Sequence, residues 1–216
     1  MKKNYLAPLE EGRLYHVYNQ GNNKENIFAD DENRRYFIKK LEFYVCPFVT
    51  IVCMCLMDNH FHLLIKVKTW EEMQQSLSKY RGLEQFVVRI GMKLMQSRTL
   101  AAYVVSEMFR RFFMAYAKAY NKRYDRTGSL FRKNFKRIEI TSMDYLRNVI
   151  LYIHRQPNHH GLKQDFRDYP WSTYKKWFEY EFLKKMSEIN LDKVFGDVKT
   201  SSTCTRVIVL LRRYSK

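Results

Sequence analysis

Apolar and polar positions repeat with recognisable periods along most of the chain. Residues 14 to 19 alternate as a strand does and run into a Gly/Asn-rich loop, NQGNNKEN, which owes little to a core and is free to touch a ligand. Between residues 31 and 44, Tyr36, Phe37, Leu41 and Phe43/Tyr44 recur at roughly helical spacing with Arg34, Arg35, Lys39 and Lys40 opposite. This predicts an amphipathic helix begun by Asp30 or Asp31. Residues 48 to 56 and 61 to 67 are strand-like around a turn-like Asp58-Asn59, which predicts a hairpin. Residues 70 to 124 read as mostly helical with breaks near Gly82 and Gly91, and residues 130 to 140 as a strand following a turn at Gly128. The clearest helix spans 143 to 156: Thr141 or Ser142 caps it, Leu146, Val149, Ile150 and Ile153 form its apolar stripe, and Pro157 stops it.

Side chains alternate on a strand, so His60, His62, Leu64 and Lys66 share one face and Phe61, Leu63, Ile65 and Val67 the other, which is the core face. Two histidines at i and i+2 project together and can converge on one metal ion. In an apolar context such a pair is more often hydrogen-bonded than ligating, so a third group is needed. Tyr152 and Gln156 lie four apart, on a helix face beside the Leu146/Ile150/Ile153 stripe. If that helix crosses the histidine strand, both reach the same place; the commoner fate of such a tyrosine is to turn its hydroxyl into water. Tyr145 has Val149 as its i+4 neighbour, which ligates nothing.

Charge changes the picture. The 216 residues carry 39 Lys plus Arg against 22 Asp plus Glu, a formal +17, which points to a polyanionic partner. The cations are dispersed among 15 Phe, 16 Tyr and 3 Trp, as suits a folded surface that grips phosphates and stacks bases; a solvated basic surface over a Tyr-rich core has the same composition. Arg110, Arg111, Lys122, Arg123 and Arg126, then Arg132, Lys133, Lys136 and Arg137, form a helix-then-strand series that suggests one continuous charged wall. Cys46, Cys53, Cys55 and Cys204 make no CxxC pair and read as reduced thiols. A zinc site built from Cys53, Cys55 and the histidines is an alternative that the short spacing and apolar surroundings disfavour. No apolar run approaches ~20 residues and the N-terminus lacks a signal-peptide core, so the expectation is a cytoplasmic, nucleoid-associated protein. Length and the lack of a linker predict one main domain, residues 1 to 180, with a C-terminal extension, 181 to 216.

The stretches LYHVYNQGNNKENIF, CLMDNHFHLLIKV, GSLFRKNFK, YLRNVILYIHRQP and DYPWSTY, in this order and spacing, resemble the single-tyrosine HUH transposases, and most the REP-associated tyrosine transposase branch. The resemblance covers about residues 12 to 178. It implies an α+β, ferredoxin-like or RRM-like antiparallel sheet with helices packed on it. It also implies that His60, His62 and Gln156 hold Mg²⁺ or Mn²⁺, with Gln156 standing where many members have Asn, and that Tyr152 is the nucleophile. The implied activity is nicking and joining of single-stranded DNA beside hairpins through a covalent 5′-phosphotyrosine, by a monomer or homodimer. The resemblance makes the loop bearing Asn19 and Asn22 a candidate DNA contact, though it reads equally as a mere turn. A non-catalytic hairpin-binding descendant would share the basic, aromatic-rich composition.

Overall fold

The computed structural model describes residues 4–91, 97–161 and 165–175. Strands β1 (Leu14–Gln20), β2 (Val49–Leu56), β3 (His60–Val67) and β4 (Lys136–Glu139) form one antiparallel sheet in the order β2-β3-β1-β4. Helix α1 (Asp31–Tyr44) joins β1 to β2, while α2 (Trp70–Leu77), α3 (Leu83–Gly91) and α4 (Ser97–Arg123) lie between β3 and β4. Two such crossovers around a central β1–β3 pair make the ferredoxin-like α+β arrangement that the sequence predicts. Helices α5 (Met143–His154) and α6 (Gln156–His159) follow β4.

Local sequence explains the elements. Asp30 caps α1 by accepting from the Asn33 amide at 2.8 Å, and Ser142 caps α5 by accepting from the Tyr145 amide. One face of the sheet, Phe61, Leu63, Ile65 and Val67, is fully buried beneath α1 and α4. Phe37 is the hub of that core, its ring 4.8–5.1 Å from those of Phe28, Phe61, Phe112 and Tyr116. The opposite face is covered by α5, whose Leu146, Val149, Ile150 and Ile153 meet Leu14, Val52, Cys53, Cys55 and Leu64. Both central strands therefore bury side chains on both faces. Burial pushes the Cys53 and Cys55 thiols up, as in core thiols rather than metal ligands.

Four expectations change. The loop after β1 is tied down: Tyr116 and Tyr120 donate to the Ile27 and Asn26 carbonyls at 2.6 and 2.9 Å, and the Asn22 amide donates to the Leu130 carbonyl at 3.0 Å. The strand expected over 130 to 140 shrinks to β4, because Asn134 adopts a left-handed φ of 61° and Phe131 makes only a single bridge, to Gly21. The helix expected to reach Gln156 ends at His154. Pro157 then sits in the first turn of α6, where a missing N–H costs nothing, so it starts a helical turn instead of ending one. The C-terminal extension, Cys204 and the end of the Trp/Tyr-rich stretch lie outside the described residues. Among the described residues no helix is long and apolar enough to cross a membrane.

Two consequences are measurable. A Cβ at Gly21 would sit 2.1 Å from the Glu25 carbonyl oxygen, so Gly21→Ala must open the loop after β1. The expected loss is roughly 2–3 kcal/mol in urea unfolding. The second concerns His154, fully buried with Nε2 3.2 Å from Thr173 Oγ1 and pushed down to about 3 by burial. Between pH 6.5 and about 3 the unfolded chain binds a proton at this residue that the folded chain excludes. Its contribution is intact above pH 6.5 and falls on acidification by at most about 1.4 kcal/mol per pH unit. Urea midpoints at pH 7 and pH 5 should show that fall, and His154→Gln should flatten it.

Candidate active site and nucleic-acid interface

The hairpin turn before β3 is held from several sides. The Asp58 carbonyl accepts from the Ile27 and Phe28 amides, the Asn59 carbonyl accepts from Gly21, and Arg34 pairs with the Asp58 carboxylate. From this turn β3 emerges beside β1 in a register that pairs Gln20 with His60 and Tyr18 with His62. His16, Tyr18, His60 and His62 consequently share one face. Helix α5 covers the rest of that face and carries Tyr152 to its border. The Tyr152 ring is 45% exposed and stands edge-on to the rings of His62 and His16, at 5.4 and 5.9 Å. The backbone turn at Arg155 brings Gln156 back under Tyr152, whose carbonyl accepts from Gln156 Nε2 at 3.3 Å. His60, His62, Tyr152 and Gln156 thus line one cleft of about 930 Å³.

Hydrogen bonding orients the two amide side chains beside His60. Asn59 Nδ2 donates to the Lys24 carbonyl at 3.3 Å, so Asn59 Oδ1 faces His60 Nδ1 at 2.7 Å. An amide oxygen only accepts, so a neutral His60 carries its proton on Nδ1 and leaves the Nε2 lone pair free. That lone pair faces Gln156 Oε1, another acceptor, 3.4 Å away. Burial, partly offset by Gln156, lowers the His60 pKa, and burial with the neighbouring His16, His60 and His160 holds His62 well below the ordinary imidazole value. His62 Nδ1 is engaged by His16 Nε2 at 2.9 Å, which leaves His62 Nε2 as the nitrogen for a ligand.

Two converging acceptors with no proton between them fit a cation. The donor set of two imidazole nitrogens and one amide oxygen suits Mn²⁺ and tolerates Mg²⁺ when water and phosphate complete the sphere. Among the described residues no group of three or more His, Cys, Asp or Glu is arranged to hold a metal, and beside the two histidines the oxygen at hand is Gln156 Oε1, which faces His60 Nε2.

His16 is a residue the sequence reading missed. Its only signal is that it shares the period-2 face of β1 with Tyr18; the register with β3 is what brings it to His62. Of the other histidines, His160 packs on His60 with ring centroids 4.7 Å apart, His159 lies 6.1 Å from Tyr152, and His154 points into the core.

The expected continuous wall of cations is divided. Arg132, Lys133 and Lys136 line the cleft with the tyrosine and the histidines. Arg137, one residue on in β4, faces the other way: it reaches Ser106 Oγ at 3.3 Å and stacks on Phe135 at 5.0 Å. Arg110 and Arg111 share the Glu107 carboxylate, Arg123 pairs with Asp30 and Glu32, Arg126 pairs with Glu25, and Lys122 is exposed. Asn19 and Asn22 donate to the Arg132 and Ser129 carbonyls at 3.2 and 2.8 Å. They hold the 129–132 segment against β1, and so hold Arg132 at the cleft.

No protein-family model and no curated protein matches the chain. A solved structure of a REP-associated tyrosine transposase bound to a REP hairpin does match, with a TM-score of 0.53 at 14% identity, over 84% of this chain and 88% of that one. The likeness extends over most of both chains: this chain has the fold of a REP-associated tyrosine transposase.

Proposed function

We propose that this chain is a REP-associated tyrosine transposase that nicks and joins single-stranded DNA beside hairpins, with Tyr152 as nucleophile and His60, His62 and Gln156 as metal ligands. The observation that carries this reading is the convergence of these four side chains, from two separate regions of the chain, on one cleft edged by Arg132, Lys133 and Lys136. The neighbour of the same fold holds a hairpin of this kind.

Arg132, Lys133 and Lys136 bind the phosphates on either side of the scissile one and keep the backbone against the sheet. The half-exposed Tyr152 abuts His62, so its hydroxyl can approach a phosphate that Arg132, Lys133 and Lys136 hold in the cleft. The Tyr152 oxygen attacks phosphorus: a phenolic O–P bond forms, the P–O3′ bond breaks, the phenol loses its proton and the departing 3′ oxygen gains one. The product is a 5′-phosphotyrosine and a free 3′-OH, and attack by another 3′-OH reverses the chemistry and joins strands without an external energy source. His60, His62 and Gln156 would hold Mn²⁺ or Mg²⁺, which would neutralise charge on the nonbridging oxygens, and a ligand set with no carboxylate would leave the full charge of the ion for that purpose. Low histidine pKa values keep the lone pairs of His60 and His62 available at neutral pH.

The decisive experiment incubates the purified chain with labelled hairpin oligonucleotides bearing single-stranded flanks, in Mn²⁺, and resolves the products on a denaturing gel. A covalent protein–DNA band should form with wild type and disappear in Tyr152→Phe and His62→Ala. Binding of the pool without any such band would instead establish a hairpin-binding protein without catalysis.

His16 generates a separate prediction. Ligating histidines depend on a partner for the other ring nitrogen, and removing that partner typically weakens metal binding about 10–100-fold. His16→Ala should weaken Mn²⁺ binding by that factor in calorimetry. Its affinity for hairpin DNA in EDTA should stay at the wild-type value.

A further inference from the structure

Beside the cleft lies a second groove of about 630 Å³, between α4 and the 129–135 segment. Asn19, Arg132, Lys133 and Asn134 line both, so the groove continues the cleft across the 129–135 segment. Its lining includes Phe113, Phe131 and Phe135, with the Phe113 and Phe135 rings 5.4 Å apart, and Met114, which is 57% exposed. Arg110, Arg132 and Lys133 edge it. Arg110 lies over Met114, its Nη1 2.7 Å from the sulfur. The Glu107 carboxylate is shared between Arg110 and Arg111, so that edge keeps a net positive charge.

We propose that this groove is a base-binding subsite for an unpaired nucleotide of the strand whose phosphate occupies the cleft. The proposal rests on the reading of the cleft as a DNA site and adds where the flanking strand goes. A free phosphate would satisfy Arg110, Arg132 and Lys133 but leave Phe113, Phe135 and Met114 in water. A purely apolar ligand would do the reverse and strip water from three cations. A nucleotide satisfies both, with its base on the aromatic and thioether surface and its phosphate among the cations. The base must be unstacked to enter, so the occupant is single-stranded DNA and not the hairpin stem.

The walls are preset for such a ligand. Ser129 Oγ donates to the Phe131 carbonyl at 2.8 Å, Asn19 and Asn22 hold the Arg132 and Ser129 carbonyls, and left-handed Asn134 turns the chain into β4. A third groove, of about 470 Å³, shares Arg110 and Met114 with the second and is bordered by Lys79, Arg81 and Lys118, which extends the same basic track along α4.

The test measures binding of hairpins with a single-stranded flank by fluorescence polarisation in EDTA, replacing each flank nucleotide in turn by an abasic unit. One position should weaken wild type about 5- to 150-fold, the range for loss of one base–aromatic stack. Met114→Glu, an exposed helical substitution compatible with folding, should bind the intact flank more weakly and lose most of its sensitivity to that abasic position. The double change should therefore cost less than the sum of the two. Uniform tolerance of abasic units by wild type, or equal sensitivity in wild type and Met114→Glu, would overturn the subsite.

The covalent-adduct assay separates this failure from failure of the broader reading. An adduct without an abasic effect leaves the nuclease standing and removes the subsite. An abasic effect without an adduct keeps the subsite on a protein that only binds. A wild-type chain that binds none of these strands removes both.

Discussion

The pairing of β1 with β3 is the constraint on which everything else depends. These strands lie at the centre of the sheet and are buried on both faces, so their register is specified twice, once by the Phe61/Leu63/Ile65/Val67 face beneath α1 and α4 and once by Leu14 and Leu64 beneath α5. A slip of one residue would turn His60 and His62 into the aromatic core and Phe61 into the cleft. Because that slip is forbidden by two cores at once, the histidine face is held rigidly without any of its own polar groups having to do so.

The same double burial sets the electrostatics of the site. Tyr152 of α5 packs on His62, Gln156 and His160 pack on His60, and burial holds both imidazoles below their usual pKa. Neutral rings have one lone pair each; the His60 Nδ1 bond to Asn59 Oδ1 and the pairing of His62 Nδ1 with His16 Nε2 leave Nε2 as the remaining nitrogen of each ring. Gln156 presents its amide oxygen beside them, fixed in direction by its bond to the Tyr152 carbonyl, so Tyr152 and Gln156 are held as one unit. Burial that stabilises the fold is thereby also what keeps both imidazoles neutral.

The basic residues divide by the same logic. Alternation in β4 sends Lys136 to the cleft and Arg137 to α4, and the irregular segment before it presents Arg132 and Lys133 because Asn19 and Asn22 hold its backbone. Arg123 and Arg126, in contrast, are paired with carboxylates around the loop after β1 and brace that loop against α4. A net charge of +17 therefore includes cations with very different duties: Arg123 and Arg126 brace the fold, while Arg132, Lys133 and Lys136 line the cleft.

Local patterns determined much of this protein by themselves. The cap at Asp30, the stripe on α5, the two-faced alternation of β3 and the core character of Cys53 and Cys55 all follow from periods of 2 and 3.6 and from side-chain chemistry within a few residues. Tyr152 and Gln156 were legible as a pair for the same reason, although the chain between them turns at Arg155 and does not continue as one helix. What only the tertiary structure decided are contacts between residues far apart in the chain. His16 meets His62 across 46 residues, His60 meets Gln156 across 96, and Asn19 meets the Arg132 backbone across 113. No local period encodes such distances. They are set by strand register and by the seating of α5 on the sheet, and these are settled only when both faces of the central strands are packed.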